Sequence, residues 1–531
     1  MSSRSSESSC VDDAVDRVDS RQRSVSCPAA PSSSPSKIIF ALVGLPARGK
    51  SFLSVKIVSF LTWLGIPARI FNAGNKRRSV EGAVKSGRSE FFANTNRSAV
   101  SKRDQIALDT LDDALQWLVE ENGLVAMFDA TNTTIARRKL IQAHIEQCGV
   151  VTNLIFLESI CDNEDVLHNN LLQKVRNSPD FSGLDEASAL NDLKARIKAY
   201  EQVYEPVSDD EEVSYIKVIN LASKVICNQI YGTIPIRCVQ LLMSCHVGHR
   251  PVFLVRAGHC NGVDDLGTFR GAAPGQPVPC TRGVSDAVLG FPSANTNDMP
   301  GMESVLGPYA SYGQNLDTKR GFTSPTAAAS STSTRVTWDT MYTHGQNLHM
   351  PSSFTCNAHL SDRGISFSMR LGKFMEKYPT AVPFTSTLPR AIETAYYLPN
   401  RPNSNQSWSA LGILDTGICH GMSVSDIREK MPVEYSDWER DPFHFRFPGG
   451  ESLVDMNRRL AEVVLEVERV REPVVVVSHL STIQSLVAYF TGQDPCNIPH
   501  IRVPQHSILE LKPSIYGWTM QTIEENMLPE L

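Results

Sequence analysis

The stretch from Lys37 to Lys56 limits what this chain can fold into more than any other. A short apolar run closes at Val43. Gly44, Gly49, Lys50 and Ser51 then fill the spacing G-x-x-x-x-G-K-[ST], and an apolar, helix-patterned segment follows. The glycines let backbone N–H groups close round phosphate oxygens, Lys50 reaches the outer phosphates, and the Ser51 hydroxyl suits Mg²⁺. The helix N-terminus adds its dipole to the same anion. Average residue frequencies give this spacing by chance in about 2% of chains this long. A strand before it and a helix after it therefore predict a nucleotide phosphate cradle rather than a plain glycine-rich turn.

A chain of 531 residues exceeds one hydrophobic core, and roughly two to four domains are expected of it. Hydrophobic residues at 41% supply enough apolar surface for most of it to fold. A net charge of −6 argues against a nucleic-acid partner, whose footprint is a basic field. The longest apolar runs, Ile38–Leu45 and Val474–Val477, fall far short of a membrane span, so no membrane partner is expected. Twelve cysteines without C-x-x-C spacing, and no apolar leader, point to a reducing, cytoplasmic setting. Cys238, Cys245, His246 and His249 lie close together, but in an apolar helical run that matches no zinc spacing.

Residues 1–36 are rich in Ser, Arg, Asp and Pro and read as a disordered tail, in which Arg21 to Ser26 would suit a basophilic protein kinase or is simply a solvated charge run. Strands and helices alternate over 37–249, predicting a mostly parallel sheet flanked by helices. Ile106, Leu108, Leu111, Leu115, Leu118 and Val119 line one helical face that Gly123 stops. The next strand, Leu124–Phe128, delivers Asp129 to its carboxyl end, where open α/β sheets place their ligands. The run from Asp129 to Arg138 thus offers an acid, hydroxyls and two cations beside the phosphates. A further strand, Leu154–Leu157, leads to Glu158 and Cys161. In the helix from about Glu186 to Tyr204, Arg196 and Tyr200 stand four apart on one face, where both can point at an anion, or Tyr200 can serve only as core.

A second α/β unit is expected over 250–520, with strands at Pro251–Val255 and Val474–Val477 and helices near Ile365–Lys377 and Ile483–Phe490. Residues 262–355 lose all periodicity and read as a disordered insert, and 521–531 as a C-terminal tail.

Val43 to Ser51, Phe71-Asn72 with Arg77-Arg78, Phe128 to Thr134, Phe156 to Cys161 and Ser178-Pro-Asp180 together resemble the kinase half of the 6-phosphofructo-2-kinase/fructose-2,6-bisphosphatase family. Leu360 to Gly364, Thr385-Ser386 with Arg390, Phe447 to Ser452 and Ser478-His479 resemble its histidine-phosphatase half, an α/β domain like that of phosphoglycerate mutase. The resemblance implies transfer of the ATP γ-phosphoryl group to the 2-hydroxyl of fructose 6-phosphate, with Mg²⁺, in a homodimer. It implies nucleotide contacts from Gly44, Leu45, Pro46, Ala47, Arg48, Gly49, Lys50, Ser51 and Asn170. Asp129 would act on the sugar hydroxyl or, with Ser51, on the metal; Arg77, Arg103, Thr131, Arg137, Arg196 and Tyr200 would hold the sugar phosphate. Cys161 matches an active-site position of the family, or is a buried thiol. Where the family has a lysine three residues before Ser178 this chain has Val175, so the neighbouring Lys174 or Arg176 would have to serve.

A histidine phosphatase needs a nucleophilic His, an arginine pocket and an acid for the leaving oxygen. The family's Arg-His-Gly reads Arg256-Ala257-Gly258 here, and a methyl group cannot attack phosphorus. If the strand continued, His259 would lie on the same face but about 6.5 Å away. The family's proton donor falls on His420, its tyrosine on Val424, an arginine on Trp438, a lysine on Pro442, and a glutamine and arginine on Leu480 and Gln484. Arg256, Arg390 and His479 remain, so this half is expected to be a pseudophosphatase. The alternatives are a regulatory pseudoenzyme that binds nucleotide and sugar phosphate, and a P-loop kinase for another small hydroxyl substrate; Arg77, Arg103 and Arg196 count against the last.

Overall fold

The computed structural model describes residues 37–82, 89–92, 96–221, 223–246, 250–260, 358–402, 406–420, 422, 424–514 and 517–531. The expected N-terminal tail with its phosphorylation motif, and the insert, lie outside them, as does His249.

Among the described residues the first sheet has the order β2-β3-β1-β4-β5-β6. Its strands are β1 (Lys37–Val43), β2 (Ala68–Asn72), β3 (Val125–Asp129), β4 (Thr152–Ile160), β5 (Ser214–Ile219) and β6 (Lys224–Asn228). All neighbours run parallel except β5 and β6. Central β1 is buried on both faces, as the continuous apolar run requires of a parallel strand with helices on either side. Ile38, Phe40 and Leu42 face one core with Leu53, Ile57 and Leu61 of α1 (Lys50–Trp63). Ile39, Ala41 and Val43 face the other, with Leu111, Leu115 and Ile141.

Around this sheet lie α2 (Ala73–Glu81), α3 (Arg97–Glu120), α4 (Ile135–Gln147), α5 (Glu164–Asn177), α6 (Glu186–Glu201) and α7 (Thr233–Ser244). The starts of α2 to α6 are set by side-chain caps, Asn72, Asn96, Thr134, Asn163 and Asp185 each accepting from an N–H of the first turn. Two local expectations fail on α3. Val119 is 51% exposed, because the buried stripe runs through Ala107, Leu111, Ala114, Leu115 and Leu118 and leaves 119 on the outer side. The helix ends at Glu120, the chain turns at Asn122 with φ of 55°, and Gly123 is needed for space: a Cβ there would lie 2.3 Å from the Trp117 ring.

The second sheet has the order β12-β11-β7-β10-β8-β9. Its strands are β7 (Val252–Arg256), β8 (Val382–Ser386), β9 (Ser407–Trp408), β10 (Val474–Ser478), β11 (Ile508–Ser514) and β12 (Gly517–Ile523). β7, β10, β8 and β9 are parallel, and β11 and β12 close the edge antiparallel. The helices α8 (Asp362–Met375), α9 (Leu453–Arg469) and α10 (Leu480–Thr491) cover it.

The two sheets share one core. A single apolar cluster runs from Phe40 and Ile57 through Phe60 and Trp63 to Val454, Leu460, Ile483 and Tyr489. Trp63 closes α1 against the second unit: its Nε1 donates to Ser485 O at 3.0 Å and its carbonyl accepts from Asn457 Nδ2 at 2.7 Å. Nearby, the half-buried Lys56 ammonium meets the buried Glu468 at 2.7 Å, and Tyr489 OH donates to the same carboxylate at 2.9 Å. An apolar interface of this kind holds two units rigidly, where polar interfaces leave them free to move. Trp63→Ala should therefore cost about 3–5 kcal/mol and lower the urea midpoint of a single transition spanning both sheets. Separate melting of the first sheet would contradict the fused core.

Candidate active site

The loop after β1 is shaped by backbone conformations that suit glycine. Gly44 has φ of +135°, and a Cβ there would lie 2.6 Å from Ser159 O at the end of β4; Gly49 has φ of +87° and caps α1. Ala47, at φ of 62°, accepts from Asn170 Nδ2 through its carbonyl at 3.1 Å. Gly44 N donates to Thr131 O at 3.0 Å, Asn132 Nδ2 to Leu42 O at 2.8 Å, and Ser159 Oγ to Arg48 O at 2.5 Å. The Arg48 guanidinium donates to Cys161 O. The ends of β1, β3 and β4 are thereby stitched into one rim that includes Leu45 and Pro46, with Cys161 buried in it.

Lys50, at the first turn of α1, bends back over the loop and donates to Gly44 O at 2.8 Å and Leu45 O at 2.7 Å. Burial, reinforced by the Lys174 charge, pushes its ammonium down to about 7. One residue on, Ser51 Oγ donates to Asp129 Oδ2 at 2.8 Å, and Asn72 Nδ2 donates to the same oxygen at 2.6 Å. Register explains the second contact, since Asn72 ends β2 directly opposite Asp129 on β3.

Beside this acid stands a cage of cations. Arg77 Nη2 donates to both Asp180 oxygens at 2.6 Å, and Arg196 Nη1 to Asp180 Oδ2 at 3.0 Å. Desolvation works against the Asp180 charge, but Arg77 and Arg196 outweigh it and hold the carboxyl below its ordinary range. Phe92, in the short helix Ser89–Phe92, lies under Arg77 at 5.1 Å, Arg103 at 5.9 Å and Arg196 at 3.6 Å, and 5.9 Å from the Tyr200 ring. Arg103 donates to Phe92 O at 2.8 Å; Arg137 pairs with Asp104 and donates to Arg103 O at 3.4 Å. Burial lowers both Arg137 and Arg196, and Arg196 Nε is buried without a hydrogen-bond partner among the described residues.

On α5, Val175 turns into a satellite core with Phe181, Ala189 and Leu193. Arg176 is exposed and pairs with Glu186 at 2.9 Å. Lys174 joins the cluster instead: burial, then the Arg196 charge, push its ammonium down to about 8. Residue patterns did not point to Phe92 at all, and the motifs that contain Asn72 and Asp180 gave them no role. Phe92 has no local signal because its partners come from α2, α3 and α6.

At the second sheet, β7 ends at Arg256, and Ala257 is buried with its N–H on Ser478 O at 2.7 Å. Buried His479 accepts from Arg390 Nε on Nδ1 at 3.2 Å and meets Ser386 Oγ through Nε2 at 2.9 Å. Burial and then the Arg390 charge hold it well below the imidazole range. His259 is exposed, with Nδ1 on Ser361 Oγ at 2.8 Å; the strand stops too early to bring it back to the pocket face. His420 follows a 3-10 turn at the surface. Trp438 packs with Cys419, Ile427, Tyr435 and Phe447, and Gln484 donates to Ile501 O at 2.9 Å. Those two positions have been absorbed into packing.

The family described as 6-phosphofructo-2-kinase matches residues 25–249, and the histidine phosphatase superfamily (branch 1) matches residues 342–526. A 6-phosphofructo-2-kinase/fructose-2,6-bisphosphatase of Aquarana catesbeiana is 30% identical over 93% of this chain and 86% of its own length. The human 6-phosphofructo-2-kinase/fructose-2,6-bisphosphatase 3 is 30% identical over 94% of this chain and 79% of its own. A protein of the same name from Arabidopsis thaliana is 31% identical over 90% of this chain, which spans only 53% of that relative.

Proposed function

The chain belongs to the 6-phosphofructo-2-kinase/fructose-2,6-bisphosphatase family as an ATP-dependent 6-phosphofructo-2-kinase, and from that premise we propose which residues run the transfer and that its second half performs none. The observation that carries the first part is the meeting of Lys50, Ser51 and Asp129 at the strand ends, beside the arginine cage.

The nucleotide phosphates lie in the loop Gly44 to Ser51, with Lys50 leaving its two carbonyls for the β and γ oxygens. Fructose 6-phosphate enters the cage, where its phosphate takes over guanidinium N–H groups of Arg77 and Arg196 that Asp180 holds aimed and neutralised, and gains the buried Arg196 Nε. Arg103, Arg137 and Tyr200 border the same space, and Thr131 stands at the phosphate-loop rim, its carbonyl on Gly44 N. The sugar's 2-oxygen forms its bond to the γ-phosphorus as the bond from phosphorus to the β–γ bridging oxygen breaks, and the hydroxyl proton passes to Asp129. Ser51 and Asp129 offer the hard oxygens that fit Mg²⁺ and would hold it, where it supplies neutralisation of developing phosphate charge. A cytoplasmic setting and a homodimer are part of the same proposal, the homodimer resting on family resemblance.

The test is direct. The purified chain with Mg-ATP and fructose 6-phosphate should yield an acid-labile 2-phosphate, and failure to form it would leave the regulatory pseudoenzyme as the better reading. Lys174 takes the part of the missing lysine: Lys174→Ala should cost about 10²-fold in kcat/KM for ATP, while Arg176→Ala, an exposed pair with Glu186, should stay within about twofold. Equal losses would reverse that assignment.

The second half lacks its nucleophile at Ala257, and its Arg256, Arg390 and His479 remain as a shell packed on the kinase unit through Trp63 and Glu468. Its role is to support α1, the helix whose first turn is the phosphate cradle.

A further inference from the structure

We propose that Asp112, His144 and Cys148 form a surface binding site for a zinc-class divalent transition metal, separate from the phosphoryl-transfer site. Asp112 lies on α3, and His144 and Cys148 lie one helical turn apart at the end of α4. One ligand atom from each falls within 4.8 Å of the other two. Tetrahedral zinc, with bonds of about 2.0–2.3 Å, wants its ligand atoms about 3.5 Å apart, so small side-chain rotations complete the set.

The chemistry selects the ion. A thiol, an imidazole and one carboxylate suit zinc, cobalt or cadmium, whereas magnesium and calcium take oxygen ligands throughout. Asp112 Oδ1 already meets His144 Nε2 at 2.6 Å, so the two groups stand together before any metal arrives, and the ion replaces the proton between them. An aspartate–histidine pair alone is an ordinary ion pair; the exposed, unpaired Cys148 thiol is what makes it a chelate. Cys148 also caps α4, its N–H on His144 O at 3.1 Å, so the cation would sit at a helix C-terminus, the end that favours positive charge. Water completes the fourth position.

Binding forms metal–sulfur, metal–nitrogen and metal–oxygen bonds, releases the Cys148 thiol proton to buffer and displaces the proton between His144 Nε2 and Asp112 to the other ring nitrogen or to buffer, so affinity should rise with pH. The site bridges α3 and α4, whose other ends carry Arg103 and Arg137, and nine residues of helix put it about 13 Å from Arg103.

The test uses the full chain, purified with chelator and a phosphine reductant, then titrated with Co²⁺. One equivalent should raise a thiolate-to-cobalt charge-transfer band with the visible bands of a tetrahedral centre, and Zn²⁺ should bleach both. Cys148→Ser should abolish the charge-transfer band, and His144→Ala and Asp112→Ala should each weaken binding at least tenfold, with kinase turnover in Mg-ATP unchanged as the sign of an intact fold. No spectrum at millimolar Co²⁺, a band that survives Cys148→Ser, or unaltered affinity in His144→Ala would each overturn the proposal.

Discussion

Lys50→Ala should lower kcat/KM for phosphoryl transfer by about 10³-fold, equivalent to about 4 kcal/mol of transition-state stabilisation. The side chain is placed in advance: its Nζ rests on Gly44 O and Leu45 O, so when phosphates arrive it exchanges two carbonyl contacts for charged oxygens with little reorganisation. Alanine leaves the glycine loop and the Ser51 to Asp129 contact in place, so the loss should fall mainly on kcat rather than on folding. A pH signature accompanies it. With its ammonium near 7 in the free site, Lys50 is mostly neutral at pH 8, whereas phosphate oxygens beside it restore the charged form. Nucleotide binding at pH 8 should therefore take up protons, with a further share from Lys174 near 8, and at pH 6 the uptake should vanish because both amines are already charged. Calorimetry in buffers of different ionisation enthalpy measures this, and Lys50→Ala should remove the larger part. Proton release on binding, or equal uptake in the variant, would refute the assignment of Lys50.

Fructose 2,6-bisphosphate should lose no phosphate to the second half beyond the background rate. Against an ordinary turnover of about 10 s⁻¹, the expected value is below about 10⁻³ s⁻¹. The reason is cumulative. The Ala257 side chain has no lone pair, and the remaining pocket histidine, His479, is held neutral and bonded at both nitrogens to Arg390 and Ser386. His259 faces solvent and is tied to Ser361. Ala257→His alone should recover little, because Gln484 is committed to the Ile501 carbonyl and Trp438 to an apolar cluster, leaving the sugar without its former contacts. Phosphate release that disappears in His259→Ala or His479→Ala would show a nucleophile and end the pseudophosphatase reading.

What the sequence carried was chemistry encoded in short spans of backbone. The spacing from Gly44 to Ser51 and the strand that delivers Asp129 are set by neighbours a few residues away, so spacing alone reveals them. The missing histidine at Ala257 was legible for the same reason, since a nucleophile is one atom at one position.

Packing decided the rest. Lys174 and Arg176 sit about 200° apart round α5, so only one can turn toward Arg196 and Asp129, and Val175 burying itself against Phe181 and Leu193 turns Lys174 that way. The arginine cage draws on α2, α3 and α6, and no periodicity within one element foretells that three of them converge on the Phe92 ring. Nor does the chain announce that two units predicted as separate domains share one core through Trp63. Local backbone chemistry acts over a few bonds and is written in order along the chain; burial and charge act through space, and only the folded arrangement says which distant residues they join.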